Sequence, residues 1–258
     1  MNRRDFLATT GGLTLSLTAS AAEGKPRIIE LRRFQLRNNP DAMVRRTGDF
    51  LEKGWGPALK RSGATVVGAF SSVVAEGSPF ALLVAEYPDL ATWEAANTRA
   101  LADTDSAKVR EDYLNGPLGF VRSEVKLLRS FPGFPTLQVP EALPGGKTRL
   151  YELRTYESNN AKTLARKIRM FDEGEHALFA KVGMTNVFFG ETIAGPDMPN
   201  LAYLVGYEDM ADREKVWATF VSHPEWKKML AQPGVSDAEI VSNISNALLR
   251  PASWSAIR

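Results

Sequence analysis

The chain contains one sequence pattern twice. Residues Arg27–Phe34 read Arg-Ile-Ile-Glu-Leu-Arg-Arg-Phe, and Arg149–Tyr156 read Arg-Leu-Tyr-Glu-Leu-Arg-Thr-Tyr. The features after each copy follow in the same order at a nearly constant spacing, as shown by the pairs Gly63 and Gly183, Tyr87 and Tyr207, Asp89 and Asp209, and Leu128 and Leu249. Because a duplicated sequence builds the same unit twice, this feature constrains the fold more than any other.

In each repeat, apolar residues recur at strand-like alternating positions and at helical spacing, and this pattern predicts the element order β-α-β-β-α-β. This order is ferredoxin-like, and it gives an antiparallel sheet with helices on one face only. The bare sheet faces of two such repeats can cover each other. The sequence therefore predicts an α+β fold in which two tandem ferredoxin-like repeats, 25–131 and 149–254, form an intramolecular dimeric α+β barrel. A Pro/Gly-rich linker over 132–148 joins them.

Composition excludes several classes of function. A formal net charge of +2 in 258 residues gives no basic surface typical of nucleic-acid binding. The absence of cysteine excludes disulfides, thiolate nucleophiles and cysteine-ligated metals. The two histidines form no metal-binding motif, and P-loop, dinucleotide-binding and hydrolase-elbow motifs are absent. A small-molecule ligand and a homo-oligomeric partner remain as candidates.

Residues 1–22 resemble a twin-arginine signal peptide. Arg3 and Arg4 precede a mildly apolar run over Leu7–Ala19, and Ala19-Ser20-Ala21 offers small residues for cleavage. The run is too short and too weakly apolar to span a membrane. We expect export to the periplasm with no membrane span; a Sec signal peptide or an ordinary N-terminal tail is the alternative.

Several motifs resemble the NIPSNAP family, closely in the second repeat and more loosely in the first. They are Tyr-Glu-Leu-Arg-Thr-Tyr at Tyr151–Tyr156, Lys181-Val182-Gly183-Met184, Tyr207-Glu208-Asp209 with Arg213, and His223-Pro224-Glu225-Trp226. The resemblance implies the same barrel fold. It implies little chemistry: animal members are linked to mitochondria and to organelle turnover, and wider relatives of the fold include haem-handling enzymes and cofactor-free monooxygenases.

The Glu-x-Arg motif of each first strand supplies the candidate ligand-binding residues. Glu30 and Arg32 share one strand face, as do Glu152 and Arg154. In the first repeat the helix position that would meet this face is Trp55, so we predict that the Glu/Arg face points into the shared interior. There it would form either a polar floor for a small anionic or polar ligand, or a self-satisfied ion pair that sets register between the repeats.

Two further residues are candidates for catalysis. His176 lies beside the apolar stripe of a helix, where the first repeat has Gly56, and Tyr156 lies on the Glu/Arg face. His176 suits a general base or a haem ligand, as in haem-binding relatives of this fold, but an ordinary helix histidine explains it as well. Aromatic residues of the later strands, such as Tyr203 and Phe189, are expected in the core.

These observations leave three hypotheses of function. The first is an exported NIPSNAP-type protein that binds a small ligand or a partner. The second is a monooxygenase-like or haem-associated oxidoreductase that uses His176, Arg154 and Tyr156. The third is an assembly module that acts through its outer surface.

Overall fold

The computed structural model describes residues 24–38 and 40–258, so the predicted signal peptide lies outside the described residues. In the first repeat the strands are β1 (Ile28–Gln35), β2 (Val66–Val74), β3 (Phe80–Tyr87) and β4 (Arg122–Ser130). The helices are α1 (Met43–Phe50), α2 (Gly56–Ser62), α3 (Leu90–Leu101) and α4 (Ala107–Leu114), with a π-helical segment (Leu51–Trp55) between α1 and α2.

The second repeat follows the same order after a short 3₁₀ turn (Pro144–Gly146) in the linker. Its strands are β5 (Leu150–Glu157), β6 (Thr185–Ala194), β7 (Asn200–Tyr207) and β8 (Asn243–Pro251). Its helices are α5 (Ala161–Met170), α6 (His176–Val182), α7 (Met210–Ser222), α8 (Pro224–Leu230) and α9 (Asp237–Ile240), and a π-helical segment (Phe171–Glu175) again separates the first two.

Local sequence explains where the helices begin and end. The carboxylates of Asp89 and Asp209 accept hydrogen bonds from the backbone N–H groups of Thr92 and Asp212, and so cap α3 and α7. Helices α2 and α6 end at Gly63 and Gly183, whose positive φ angles of 123° and 105° suit glycine.

The eight strands of the described chain close into one antiparallel barrel in the order β1-β3-β2-β8-β5-β7-β6-β4. Each repeat contributes four neighbouring strands in the ferredoxin-like order, and the repeats join where β2 pairs with β8 and β4 pairs with β6. The predicted intramolecular dimeric α+β barrel is therefore confirmed. Because every neighbouring pair is antiparallel, β1 and β5 run in the same direction, and both end at the same end of the barrel.

One end of the barrel is closed by the segments that follow β4 and β8. Leu137 of the linker and Ile257 near the C-terminus are both buried in the interior apolar cluster. The backbone N–H of Gln138 donates to the carbonyl of Val187, and that of Ala256 donates to the carbonyl of Val67, at the starts of β6 and β2. The two repeats thus close this end of the barrel with equivalent segments.

Candidate functional site

The Glu/Arg motif of the first repeat faces the helices, and the prediction that it lines the shared interior is wrong. Glu30 is fully buried and accepts hydrogen bonds from Arg32 Nε (2.5 Å), Tyr87 Oη (3.0 Å) and Trp93 Nε1 (3.0 Å). Trp93 belongs to helix α3. The apolar residues on the opposite face of β1, Ile29 and Leu31, fill the barrel interior instead. If Glu30 pointed into the apolar interior of the barrel instead, its carboxylate would be buried without these hydrogen-bond donors.

The second repeat holds Glu152 in the same place with stronger donors. Arg213 on α7 donates two hydrogen bonds to its carboxylate (2.8 and 2.7 Å), and Arg154 donates a third (2.9 Å). Burial raises the pKa of Glu152, but the hydrogen bonds and charges of the two arginines outweigh burial and hold the pKa below its usual value. Glu152 is therefore ionised and fixed, as a structural carboxylate would be.

Arg154 and Tyr156 meet in the sheet–helix layer, which is the space between the outer face of the barrel and the helices of the second repeat. Arg154 Nη2 donates to Tyr156 Oη (3.1 Å), whose hydroxyl also pairs with that of Tyr203 (3.0 Å). The guanidinium lies 4.6 Å from the Trp217 ring centre, and its Nε is buried without a hydrogen-bond partner among the described residues. The structure thus brings together three of the predicted second-repeat residues, Glu152, Arg154 and Tyr156.

A buried ion pair in the same layer was missed by sequence reasoning. Lys167 is fully buried, and its ammonium lies 3.1 Å from Glu175 and 3.2 Å from Asp237. Burial lowers the pKa of Lys167, but the two carboxylates outweigh burial and raise it, so the lysine is charged. The available signal was a lysine three residues after Leu164, on the helical face that the core covers.

His176 lies apart from this network. Its ring contacts Phe134 and Phe189, with centroids 5.8 and 5.9 Å away, and burial lowers its pKa. Its Nε2 is buried without a hydrogen-bond partner among the described residues. A Cβ added at Gly133 in the linker would lie 3.1 Å from that nitrogen. Because the linker covers the nitrogen that would bind iron, these residues do not fit a haem.

The open end of the barrel forms a cavity of about 400 Å³, which we call the barrel mouth. It lies among the last residues of β1 and β5, the first residues of β4 and β8, and the β2–β3 and β6–β7 hairpins. Its lining includes Leu31, Arg33, Lys126, Leu153, Thr155 and Ala247. None of the predicted site residues lines it.

The two repeats line the barrel mouth differently. Arg33 and Lys126 project from the first repeat, and Lys126 lies opposite Leu31 on the neighbouring strand. In the second repeat the matching positions are Thr155 and Ala247, since Ala247 lies opposite Leu153. At these matching positions the first repeat has two cations and the second repeat has neutral side chains; Asp197 of the β6–β7 hairpin adds an exposed carboxylate at the rim. A usable sequence signal was Arg33 itself, which interrupts the apolar strand face of Ile29 and Leu31.

The described part of the chain contains neither a metal-binding group of side chains nor a membrane-spanning helix. No group of three His, Asp or Glu side chains there could hold a metal ion. No helix between residues 24 and 258 is long and apolar enough to cross a membrane.

Comparison with known proteins supports the family and the fold. The NIPSNAP family model matches residues 151–256. No curated protein sequence matches the chain. A candidate monooxygenase from Lactobacillus acidophilus NCFM superposes with a TM-score of 0.60 at 11% identity, covering 90% of this chain and 98% of that one. Another, from Fusobacterium nucleatum subsp. nucleatum, gives a TM-score of 0.55 at 10% identity and covers 88% and 93%.

A third solved structure, a NIPSNAP-like domain protein from Burkholderia xenovorans, is 24% identical over 42% of this chain and 90% of its own, with a TM-score of 0.36. The resemblance read from the sequence motifs is confirmed by the family match, which falls on the repeat where those motifs are closest. The second repeat of this chain is a NIPSNAP domain, and the two repeats together form a dimeric α+β barrel.

Proposed function

We propose that this chain is a NIPSNAP-type binding protein that holds a small organic molecule in the barrel mouth. The observation that carries the proposal is the difference between the barrel ends. Leu137 and Ile257 close one end, whereas the other keeps a cavity of about 400 Å³. A cavity of this volume lies within the range of small-molecule sites, about 300–1,000 Å³.

The lining suits an organic ligand. Leu31, Leu82 and Leu153 provide apolar surface, half-buried Arg33 and Lys126 lie on the first-repeat wall, and exposed carboxylates lie at the rim. Binding sites are typically apolar with a few polar groups that orient the ligand. The barrel mouth has this composition.

The sheet–helix layer of the second repeat supports a second candidate, a monooxygenase-like activity. The fold is shared with the two candidate monooxygenases, and Arg154, Tyr156 and Tyr203 form a chain of hydrogen bonds there. The layer is, however, packed with aromatic rings: Phe171 lies 5.3 Å from Tyr203 and 5.5 Å from Phe189 between ring centres. A ligand there would have to displace these rings, whereas the barrel mouth is already open.

A cavity-filling substitution tests the first candidate against the second. Ala247→Phe places a ring in the barrel mouth, and Ala211→Phe, on the exposed surface of α7, is the matched control. The mature chain is screened against small organic compounds by ligand-observed NMR. We expect hits that bind wild type and Ala211→Phe but not Ala247→Phe. Hits that survive Ala247→Phe and are lost in Tyr156→Phe would instead support the sheet–helix layer.

We also propose that residues 1–22 direct the chain out of the cytoplasm by the twin-arginine route. The support is the order of Arg3-Arg4, apolar run and small-residue cleavage site in the sequence. Replacing both arginines by lysine is expected to leave the precursor in the cytoplasm, whereas the wild-type chain is recovered from the periplasm without its first residues. Equal export of both chains would refute this route.

A further inference from the structure

Three cations and three carboxylates line the barrel mouth, but they differ in burial and in pairing. Three half-buried charged side chains line it: Arg33, Glu124 and Lys126. Glu124 forms an ion pair with Arg122 at 2.9 Å. The two remaining cations have no carboxylate within ion-pair distance among the described residues. An anion entering the mouth would therefore meet positive charge that the protein leaves without a partner.

Arg33 is held in place by neutral groups. Its Nη2 donates to Gln35 Oε1 (3.1 Å) and to the backbone carbonyl of Glu76 (2.8 Å). Its guanidinium stacks on Phe80, 4.3 Å from the ring centre. These contacts fix the direction of the side chain without neutralising it, so the charge acts on whatever occupies the mouth.

Lys126 projects from β4 beside Arg33. Its stem packs against Gly195 of the β6–β7 hairpin, where an added Cβ would lie 3.0 Å from Lys126 Cγ. Its ammonium makes no hydrogen bond or ion pair with the described residues. Burial lowers its pKa, and the charges of Asp197, Glu157 and Glu124 offset only part of that effect. A desolvated ammonium of this kind is stabilised by an anion placed next to it.

The carboxylates at the rim lie further out. Glu76 and Asp197 are exposed, and neither forms an ion pair with Arg33 or Lys126. Solvent and salt screen exposed charges far more than half-buried ones. The half-buried wall of the first repeat therefore presents two cations without an ion-pair partner, whereas the matching second-repeat positions, Thr155 and Ala247, are neutral.

We propose that the ligand of the barrel mouth is an amphipathic organic carboxylate, bound through its head group by Lys126 and Arg33 and through its apolar body by the second-repeat wall. This inference rests on the proposed binding function and names the chemical class of the ligand. A carboxylate matches the forked donors of Arg33 and the point charge of Lys126.

Three compounds with one body and different head groups test the inference. 4-Phenylbutyrate, 4-phenylbutan-1-ol and 4-phenylbutylamine are titrated into the mature chain by calorimetry. We expect the carboxylate to bind about tenfold more tightly than the alcohol, as a charge-assisted hydrogen bond would give, and the amine to bind most weakly. Lys126→Gln should lower the affinity for the carboxylate more than that for the alcohol, so that most of the tenfold preference is lost, and Lys126→Arg should keep the preference.

Lys147→Gln, which removes an exposed linker lysine, is the control and should bind as wild type does. Equal binding of carboxylate and alcohol, tighter binding of the amine, or an unchanged preference in Lys126→Gln would overturn the inference. If all three compounds bind equally and Ala247→Phe abolishes their binding, the mouth is a binding site but not for anions. If none binds, or if Ala247→Phe has no effect on binding, the proposed function fails with the inference.

Discussion

The charged residues that the two repeats do not share lie on opposite sides of the sheet. In the first repeat Arg33 and Lys126 line the interior mouth, where the second repeat has Thr155 and Ala247. In the sheet–helix layer the distribution is reversed. The buried pair Lys167 and Glu175 of the second repeat takes the positions that Thr47 and Trp55 occupy in the first. The two repeats thus share one fold. The charged residues that they do not share line the barrel mouth in the first repeat and lie in the sheet–helix layer in the second.

Both repeats have a buried carboxylate between their first strand and their helices. Glu30 and Glu152 both bind the arginine two residues later and the tyrosine at the end of the third strand of their repeat. The helix donors differ: Trp93 and, at 3.5 Å, Asn97 donate to Glu30, whereas Arg213, at the position of Trp93, donates to Glu152. A fully buried carboxylate with the same role in both repeats is a structural element that joins strand to helix.

The largest effect should come from removing this carboxylate's charge. Glu152→Gln would leave Arg154 and Arg213 without their shared anion, and we expect it to lower the free energy of unfolding by about 4 kcal/mol. Glu30→Gln leaves one arginine, Arg32, and otherwise neutral donors, so we expect a loss of about 1–2 kcal/mol. Urea unfolding at pH 7 measures both. Equal losses would show that the different helix donors do not matter.

The buried pair of the second repeat should give the next largest effect. Lys167→Met would leave Glu175 buried without its cation, at a cost of about 3 kcal/mol. The double variant Lys167→Met/Glu175→Met removes both charges, as the first repeat does with Thr47 and Trp55, and should recover most of that loss. A double variant as unstable as the single one would mean that the ion pair itself, and not its imbalance, stabilises the layer.

The smallest effect should be a pH dependence at His176, which has no counterpart in the first repeat. Burial lowers its pKa in the folded state, so the folded chain favours the neutral ring. The stability this contributes is complete above the unfolded value, about 6.5, and is lost as pH falls from there towards the lower folded value. Between pH 7.5 and 5.5, the unfolding free energy of wild type should therefore fall more than that of His176→Gln. Parallel curves would show that the ring is not desolvated.

The fold was predictable because the duplicated element order leaves few ways to cover two bare sheets. The direction of the Glu/Arg face was not, because β1 carries charged residues on both faces, Arg33 on one and Glu30 and Arg32 on the other. The deciding groups were donors on α3 and α7, more than sixty residues away in sequence. Trp93 and Arg213 differ in chemistry, so no single pattern revealed their shared role.

The π-helical segments at Leu51–Trp55 and Phe171–Glu175 were also absent from the sequence prediction. They fall at the same place in both repeats, inside what the sequence predicts as one continuous helix. The buried positions still recur every three to four residues through the second segment, from Leu164 through Phe171 to Leu178, so the sequence predicts the helix but not its interruption. His176 directly follows the second segment, and its position under the linker depends on packing that strand and helix patterns do not encode.

A crystal structure of the mature chain soaked with 4-phenylbutyrate would show both the barrel that the two repeats share and the occupant of its open end. We expect one closed barrel made by both repeats, with the carboxylate of the ligand within hydrogen-bond distance of Lys126 Nζ and its phenyl group against Leu153 and Ala247. Ligand density in the sheet–helix layer beside Arg154 and Tyr156, or repeats that shield their sheets separately, would contradict this expectation.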